Sequence, residues 1–187
     1  MVLNSPRLRL EPVTEAHLDH FLALNSDPEV MRFLLGRAAT REETLDEWAR
    51  RMGAQTDETR GLGYWAGFTN DDTFAGWWSA SAFSTDETLA GLGYRLVRRA
   101  WGLGLATEGG RLMIAQGAAA PGVERVVAST MAVNTASRRV LEKLGMRHVN
   151  TYVREWDEPI TGSEEGDVVY ELVPGHRLRA TPGCSRR

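Results

Sequence analysis

The chain has 187 residues, 42% hydrophobic and 25% charged, which is ordinary globular composition and enough length to bury a core without disulfides or a structural metal. Its 22 Lys and Arg against 25 Asp and Glu leave a net charge of −3, which excludes a disordered chain, a collagenous chain and a strongly basic nucleic-acid coat. There is no apolar run long enough for a membrane span, Pro6, Arg7, Arg9 and Glu11 interrupt any signal-like stretch, and the single Cys184 cannot form an internal disulfide or a cysteine-based zinc site.

Residues 1–173 carry no internal repeat and no linker, so one domain is expected there. Leu8, Leu10 and Pro12 outline a first strand. Thr14 can cap a helix in which Leu18, Phe21, Leu22 and Asn25 keep helical spacing, and Asp27-Pro28 ends it. His17 and His20 lie three apart on that helix. A metal pair is conceivable, but without neighbouring carboxylates a polar face is the expectation, and His148 and His176 have no ligand spacing. Thr40 and Glu43 form a capping box ahead of Leu45, Trp48, Ala49 and Met52. Both helical stripes are expected to face the core.

The middle of the chain changes period. Tyr64–Thr69 and Phe74–Phe83 read as strands around an Asn70-Asp71-Asp72 turn, and Leu89–Val97 reads as a third. Trp77 and Trp78 are adjacent and must face opposite sides of a strand. One is expected in the core. The other either packs under a helix or lines a groove or subunit contact. Next come a helix over Ala106–Ala119, a strand over Val126–Thr130, and a helix over Thr135–Leu144 with Ala136, Val140 and Leu144 on one face. Gly145 stops that helix. Strands over His148–Val153 and Asp167–Leu172 complete a mixed α/β layout on one sheet. Residues 174–187 hold four Arg and no acid among Pro and Gly, and read as a flexible basic C-terminal tail.

The informative segment runs from Gly93-Tyr94-Arg95 through Arg99-Ala100-Trp101-Gly102-Leu103-Gly104-Leu105-Ala106 to Glu108. A strand feeds a turn with two glycines, and the turn opens a helix. A helix start offers unpaired N–H groups and a positive dipole end, which suit phosphate. By itself such a turn is most often only a turn. A dinucleotide fold needs a third glycine where Thr107 stands, and an acid at the end of the next strand, whereas Glu124 precedes it. A Walker loop is excluded, because no Gly-Lys-Ser or Gly-Lys-Thr occurs.

The order Arg99-x-x-Gly102-x-Gly104-x-Ala106 resembles the coenzyme A signature of the GNAT superfamily of N-acetyltransferases. Asn134-Thr135-Ala136-Ser137 through Glu142-Lys143-Leu144-Gly145-Met146 is similar to a helix of the Rim-type (RimJ/RimL-like) branch, with Met146 in place of the usual Phe. Arg7–Pro12, Ser26–Met31 and Gly63-Tyr64-Trp65 look like that branch too. The resemblance covers roughly residues 5–173.

It implies a GNAT-like fold: a twisted, mostly antiparallel mixed sheet with a central strand splay, flanked by helices. It implies an acyl-CoA-dependent N-acetyltransferase with acetyl-CoA as donor and a primary amine as acceptor, joined by direct attack in a ternary complex. Leu96 and Val97 on the strand, Arg99, and the turn Gly102, Leu103, Gly104, Leu105 and Ala106 would hold the cofactor. Asn134 would bond the pantetheine arm, and Ser137 would lie near the sulfur. In many relatives a Tyr protonates the leaving thiolate; its position is Leu141 here, so Ser137 is the catalytic candidate, beside a plain capping role. A Glu common in the preceding strand is replaced by Gly91, which leaves Glu87, Asp86 or water as base. A non-catalytic coenzyme A-binding regulator on the same fold is the alternative. Residues 155–171 hold seven acids and no Lys or Arg. They suit a cationic amine, either a peptide N-terminus or a small molecule, or else form a solvated loop. A cytoplasmic protein without nucleic-acid or membrane partners and without a metal is expected, and homodimerisation stays open.

Overall fold

In a computed structural model, which describes residues 1–156 and 158–173, eight strands share one sheet. They are β1 (Leu3–Asn4), β2 (Leu8–Pro12), β3 (Gly63–Thr69), β4 (Phe74–Ala82), β5 (Leu89–Leu96), β6 (Arg125–Met131), β7 (Arg147–Tyr152) and β8 (Asp167–Leu172). The spatial order is β1-β2-β3-β4-β5-β6-β8-β7. Each neighbouring pair is antiparallel except β5 and β6, which are parallel. The helices are α1 (Leu18–Asn25), α2 (Pro28–Met31), α3 (Arg41–Met52), α4 (Leu105–Ala119) and α5 (Thr135–Lys143). This is the mixed, mostly antiparallel α/β sheet with flanking helices that the resemblance implies. Strand β1 went unread because two residues carry no periodicity. The expected tail, 174–187, lies outside the described residues. Among the described residues no helix is long and apolar enough to cross a membrane.

The two adjacent tryptophans sort the layers. Trp78 is fully buried in a core that holds Met113 and Leu105 of α4 and Leu141 of α5. Trp77 points the other way, into a second core with Phe21 and Leu24 of α1 and Tyr64, Phe68 and Phe74 of the sheet. Both are core residues, and neither lines a groove. Helix α4 lies close against Trp78: a Cβ at Gly109 would come within 2.5 Å of the indole. The indole N–H donates to the Ala106 carbonyl at 3.3 Å.

Helix α3 starts on the predicted capping box, but its buried face is rotated from the apolar stripe. Thr44 is buried and Glu47, Trp48, Arg51 and Met52 are half-buried, whereas Leu45 and Ala49 are exposed. The reason is a polar partner across the interface. Arg95 of β5 is 7% exposed, and its Nη1 and Nη2 each donate to a Glu47 carboxylate oxygen at 2.9 Å. Asn25 of α1 accepts from Arg95 at 2.5 Å and donates to Glu47 at 2.9 Å. Arg51 adds a bond to Glu47 at 2.5 Å. A buried guanidinium needs such partners, and they outweigh the pull of Leu45 and Ala49.

Two further expectations change. His17 leaves the expected polar face: it is buried, bonded to the Thr14 backbone N–H at 3.0 Å, whereas His20 stays exposed while stacking on Phe74 at 4.5 Å. On α5 the innermost side chain is Leu141, with Val140 and Leu144 half-buried and Ala136 exposed.

Gly109→Ala should lower stability by about 1–3 kcal/mol in urea unfolding, because the clash with Trp78 outweighs the ~1 kcal/mol gain in helix propensity. Burial raises the Glu47 carboxyl, but Arg95 and Arg51 pull it down further, from 4.5 to about 2. Its folded value is depressed, so its contribution is complete above about 4.5 and is lost as the pH falls through about 2. Glu47→Gln should cost about 3–5 kcal/mol at neutral pH, because it strands a buried cation. The gap between the wild type and this variant, measured in urea, should close across that acidic window.

Candidate functional site

The site begins where a ladder stops. Strands β5 and β6 pair only at Leu89↔Arg125, Ala90↔Val126 and Gly91↔Val127. Beyond Gly91, β5 continues to Leu96 on β4, and beyond Val127, β6 continues to Met131 on β8. Between them the sheet is split, and each strand keeps a backbone edge without a strand partner. Buried N–H and C=O groups require partners, so this gap suits an extended ligand with amides of its own.

At the far end of β5 the backbone is closed off. The Val97 N–H donates to the Ala75 carbonyl at 3.0 Å, and the Trp101 indole donates to the Leu96 carbonyl at 2.8 Å. The glycine turn follows. Gly102 has φ +71° and Gly104 has φ +80°, a conformation that side-chain-bearing residues avoid. Gly104 is the N-cap of α4, and no side chain caps the helix. The first N–H groups of Leu105, Ala106 and Thr107 are therefore left to an outside acceptor. The side chain of Leu103 is exposed and that of Leu105 is buried, so only their backbones face a ligand alike.

Arg99 lines a hollow with Leu103 and Leu105 of this turn. Its Nη2 donates to the Phe74 carbonyl at 2.8 Å, and it lines a cavity of about 360 Å³ with His20, Leu24, Val30 and Val97. A second cation, Arg7, is bonded to the turn itself. Its Nη1 donates to the Leu103 carbonyl at 2.8 Å, and its Nε donates to Glu108 at 2.7 Å. Arg7 is ninety-six positions from Leu103, so no local pattern could have signalled it.

Helix α5 opens on the other side of the gap. Asn134 is its N-cap: the Oδ1 atom accepts from the Ser137 N–H at 3.1 Å. Among the described residues nothing accepts from the Asn134 amide hydrogens. Ser137 Oγ lies 2.9 Å from the Tyr94 hydroxyl of β5. Thus a side chain from β5 meets the first turn of α5. Burial pushes the Tyr94 phenol up to about 12, against a smaller pull from Ser137, so it stays protonated at ordinary pH. Sequence reasoning missed Tyr94; its only signal was its place after Gly93.

The candidate bases are placed differently. Asp86 accepts from the Thr88 N–H at 2.9 Å and its hydroxyl at 2.5 Å, and Arg125 is 3.8 Å away. Asp86 and Glu87 precede β5 at its paired end, away from the split. A Cβ at Gly91 would meet Ser81 Oγ at 2.5 Å, so no acid fits there without movement.

The acidic segment lies beside the gap. Gly162 packs on Val133, just after β6, and Gly36, after α2, lies against Ile160. Asp167 pairs with Arg154 at 3.1 Å and Glu171 with Arg125 at 3.2 Å. Glu155, Glu158, Glu164 and Glu165 are exposed, and Asp157 lies outside the described residues. Among the described residues no three His, Cys, Asp or Glu side chains cluster as a metal site.

Known proteins carry this arrangement. Residues 7–147 match the family model described as an acetyltransferase (GNAT) domain. The FsC-acetyl coenzyme A-N(2)-transacetylase of Aspergillus fumigatus is 34% identical, over 95% of this chain and 78% of that protein. A structure of RimL, a ribosomal L7/L12 α-N-protein acetyltransferase in complex with coenzyme A, superposes with a TM-score of 0.74 at 17% identity, over 92% of this chain and 98% of that one. Spermidine N-acetyltransferase of Vibrio cholerae, in complex with coenzyme A and spermine, gives a TM-score of 0.71 at 11% identity, over 90% of this chain and 96% of that one. The two superpositions speak for the fold, and the family match and the 34% identity speak for descent. The chain belongs to the GNAT acetyltransferase family, as an N-acetyltransferase that moves an acetyl group from acetyl-CoA to an amine.

Proposed function

We propose that the chain acetylates a primary amine by direct attack on the thioester in a ternary complex, the acceptor being a cationic small molecule or a peptide N-terminus. The observation that carries this reading is the split between β5 and β6, with a phosphate-suited turn at one end and exposed carboxylates beside it. Acetyl-CoA, when bound, supplies the activated thioester. Amides of Gly102–Ala106 bind the pyrophosphate, together with the helix start that they open. The backbone of β5 up to Leu96 and Val97 runs along the pantetheine arm, and Asn134 donates to it. Strand amides left unpaired by the split stabilise negative charge at the thioester oxygen. The Ser137 hydroxyl donates toward the sulfur and eases departure of the thiolate.

Glu155, Glu158, Glu164 and Glu165 support a cationic acceptor, because four exposed carboxylates beside the gap raise the local concentration of an ammonium group. The names of the relatives are consistent with amines of several kinds: an N(2) position, a protein α-amine and a polyamine.

Release of free coenzyme A thiol from acetyl-CoA, scanned over cationic and neutral amines, tests the reading. A clear rate with amines of the cationic class is expected; coenzyme A binding without turnover on any amine would overturn it. Ser137→Ala should lower kcat on the order of 10- to 100-fold, the low end for general acids because a thiolate leaves readily. Replacing Glu164 and Glu165 by Gln should raise KM for the cationic acceptor by roughly 3-fold, the scale of an exposed ion pair, and leave neutral amines unchanged.

A further inference from the structure

We propose that Arg7 orients the phosphate-facing amides of the glycine turn, and so is a positioning residue for the coenzyme A end of the donor. The inference rests on the reading of Gly102–Ala106 as the pyrophosphate cradle.

Arg7 sits between β1 and β2, far from the turn in sequence but against it in space. Its Nη1 donates to the Leu103 carbonyl at 2.8 Å. Its Nε donates to Glu108 at 2.7 Å, and its Nη2 lies 2.5 Å from the same carboxylate oxygen. The other Glu108 oxygen accepts from the Arg7 backbone N–H at 2.9 Å and from the Ser5 hydroxyl at 2.8 Å. One guanidinium thus ties the carbonyl of the turn to the first turn of α4.

The consequence follows from peptide geometry. In a trans peptide the carbonyl and the next N–H point in opposite directions. Holding the Leu103 carbonyl on Arg7 therefore turns the Gly104 N–H away from Arg7. Among the described residues nothing accepts from that N–H. Gly104 tolerates the pose because its φ of +80° costs a glycine little. A Cβ there would sit 3.5 Å from Arg7 Nη2, so Arg7 lies on the side-chain side of the residue.

Charge adds a second reason. The Glu108 carboxylate stands in the first turn of α4, where a phosphate would otherwise be repelled. Arg7 cancels that charge. The contacts to Leu103 and Glu108 engage all three guanidinium nitrogens once, and the role proposed for Arg7 runs through the Gly104 N–H that they orient.

The experiment compares acetyl-CoA with acetyl-pantetheine, which keeps the thioester and lacks the pyrophosphate and nucleotide. Arg7→Ala should raise KM for acetyl-CoA about tenfold, the size of one or two hydrogen bonds to an anion, with kcat nearly unchanged. KM for acetyl-pantetheine should not move. Arg7→Lys keeps the charge but cannot bridge Leu103 and Glu108 at once. It should shift KM in the same direction, and it carries the test if the alanine variant does not fold. An equal loss with both donors, no change with either, or full rescue by Lys overturns the role of Arg7. If the wild type itself shows no preference for acetyl-CoA over acetyl-pantetheine, the reading of the glycine turn fails, and this proposal with it.

Discussion

A parallel ladder that ends after three pairs governs this molecule. Two strands in the middle of a sheet leave each other at Gly91 and Val127, yet both continue. Backbone polar groups along the split must find other partners, which is costly in a core and useful at a site for an amide-bearing ligand. The rest of the architecture holds the two halves apart without letting either drift. On one side, Arg95 is clamped to Glu47 and Asn25, which fixes β5 beneath α1 and α3. On the other, the Tyr94 hydroxyl meets Ser137 at the start of α5. A strand with only one neighbour is thus pinned on both of its faces.

The polarity of the site follows from the same layout. One end of β5 runs into a helix start with left-handed glycines and unpartnered amides, an environment for anions. The segment after β7 brings exposed carboxylates beside the turn that follows β6. The near-neutral net charge of −3 averages these regions and hides both. On the proposed reading, a polyanionic donor and an amine that arrives as an ammonium ion and loses a proton to water before it attacks suit such a separation, because a single-sign surface would attract one reactant and repel the other.

Much of this was legible from spacing. The main strands and helices form close to where the sequence places them, the Thr40–Glu43 capping box forms, and Asn134 caps α5. The glycine turn and the Asn134–Ser137 pair were the segments that carried the family resemblance. Other features were not legible, for identifiable reasons. The buried face of α3 turns toward Glu47 and Arg51 because Arg95, more than forty residues away, needs a carboxylate. His17 loses its solvent because the fold packs it beside Phe68 of the sheet. Arg99 carried the motif, and its guanidinium donates to the Phe74 carbonyl, while Arg7, far away in the chain, bonds the turn itself.

By itself the sequence determined the elements, the two-sided burial demanded by Trp77-Trp78, and a turn that only glycines can make, because these depend on neighbours within a few positions. It determined the family for the same reason: the motifs are local. Only the tertiary structure decided where β5 and β6 part, which cation bonds the Leu103 carbonyl, which hydroxyl Ser137 meets, and which of the acids stay exposed. Those outcomes rest on side chains forty to a hundred positions apart competing for the same partner, and the winner is set by distance and burial rather than by order along the chain.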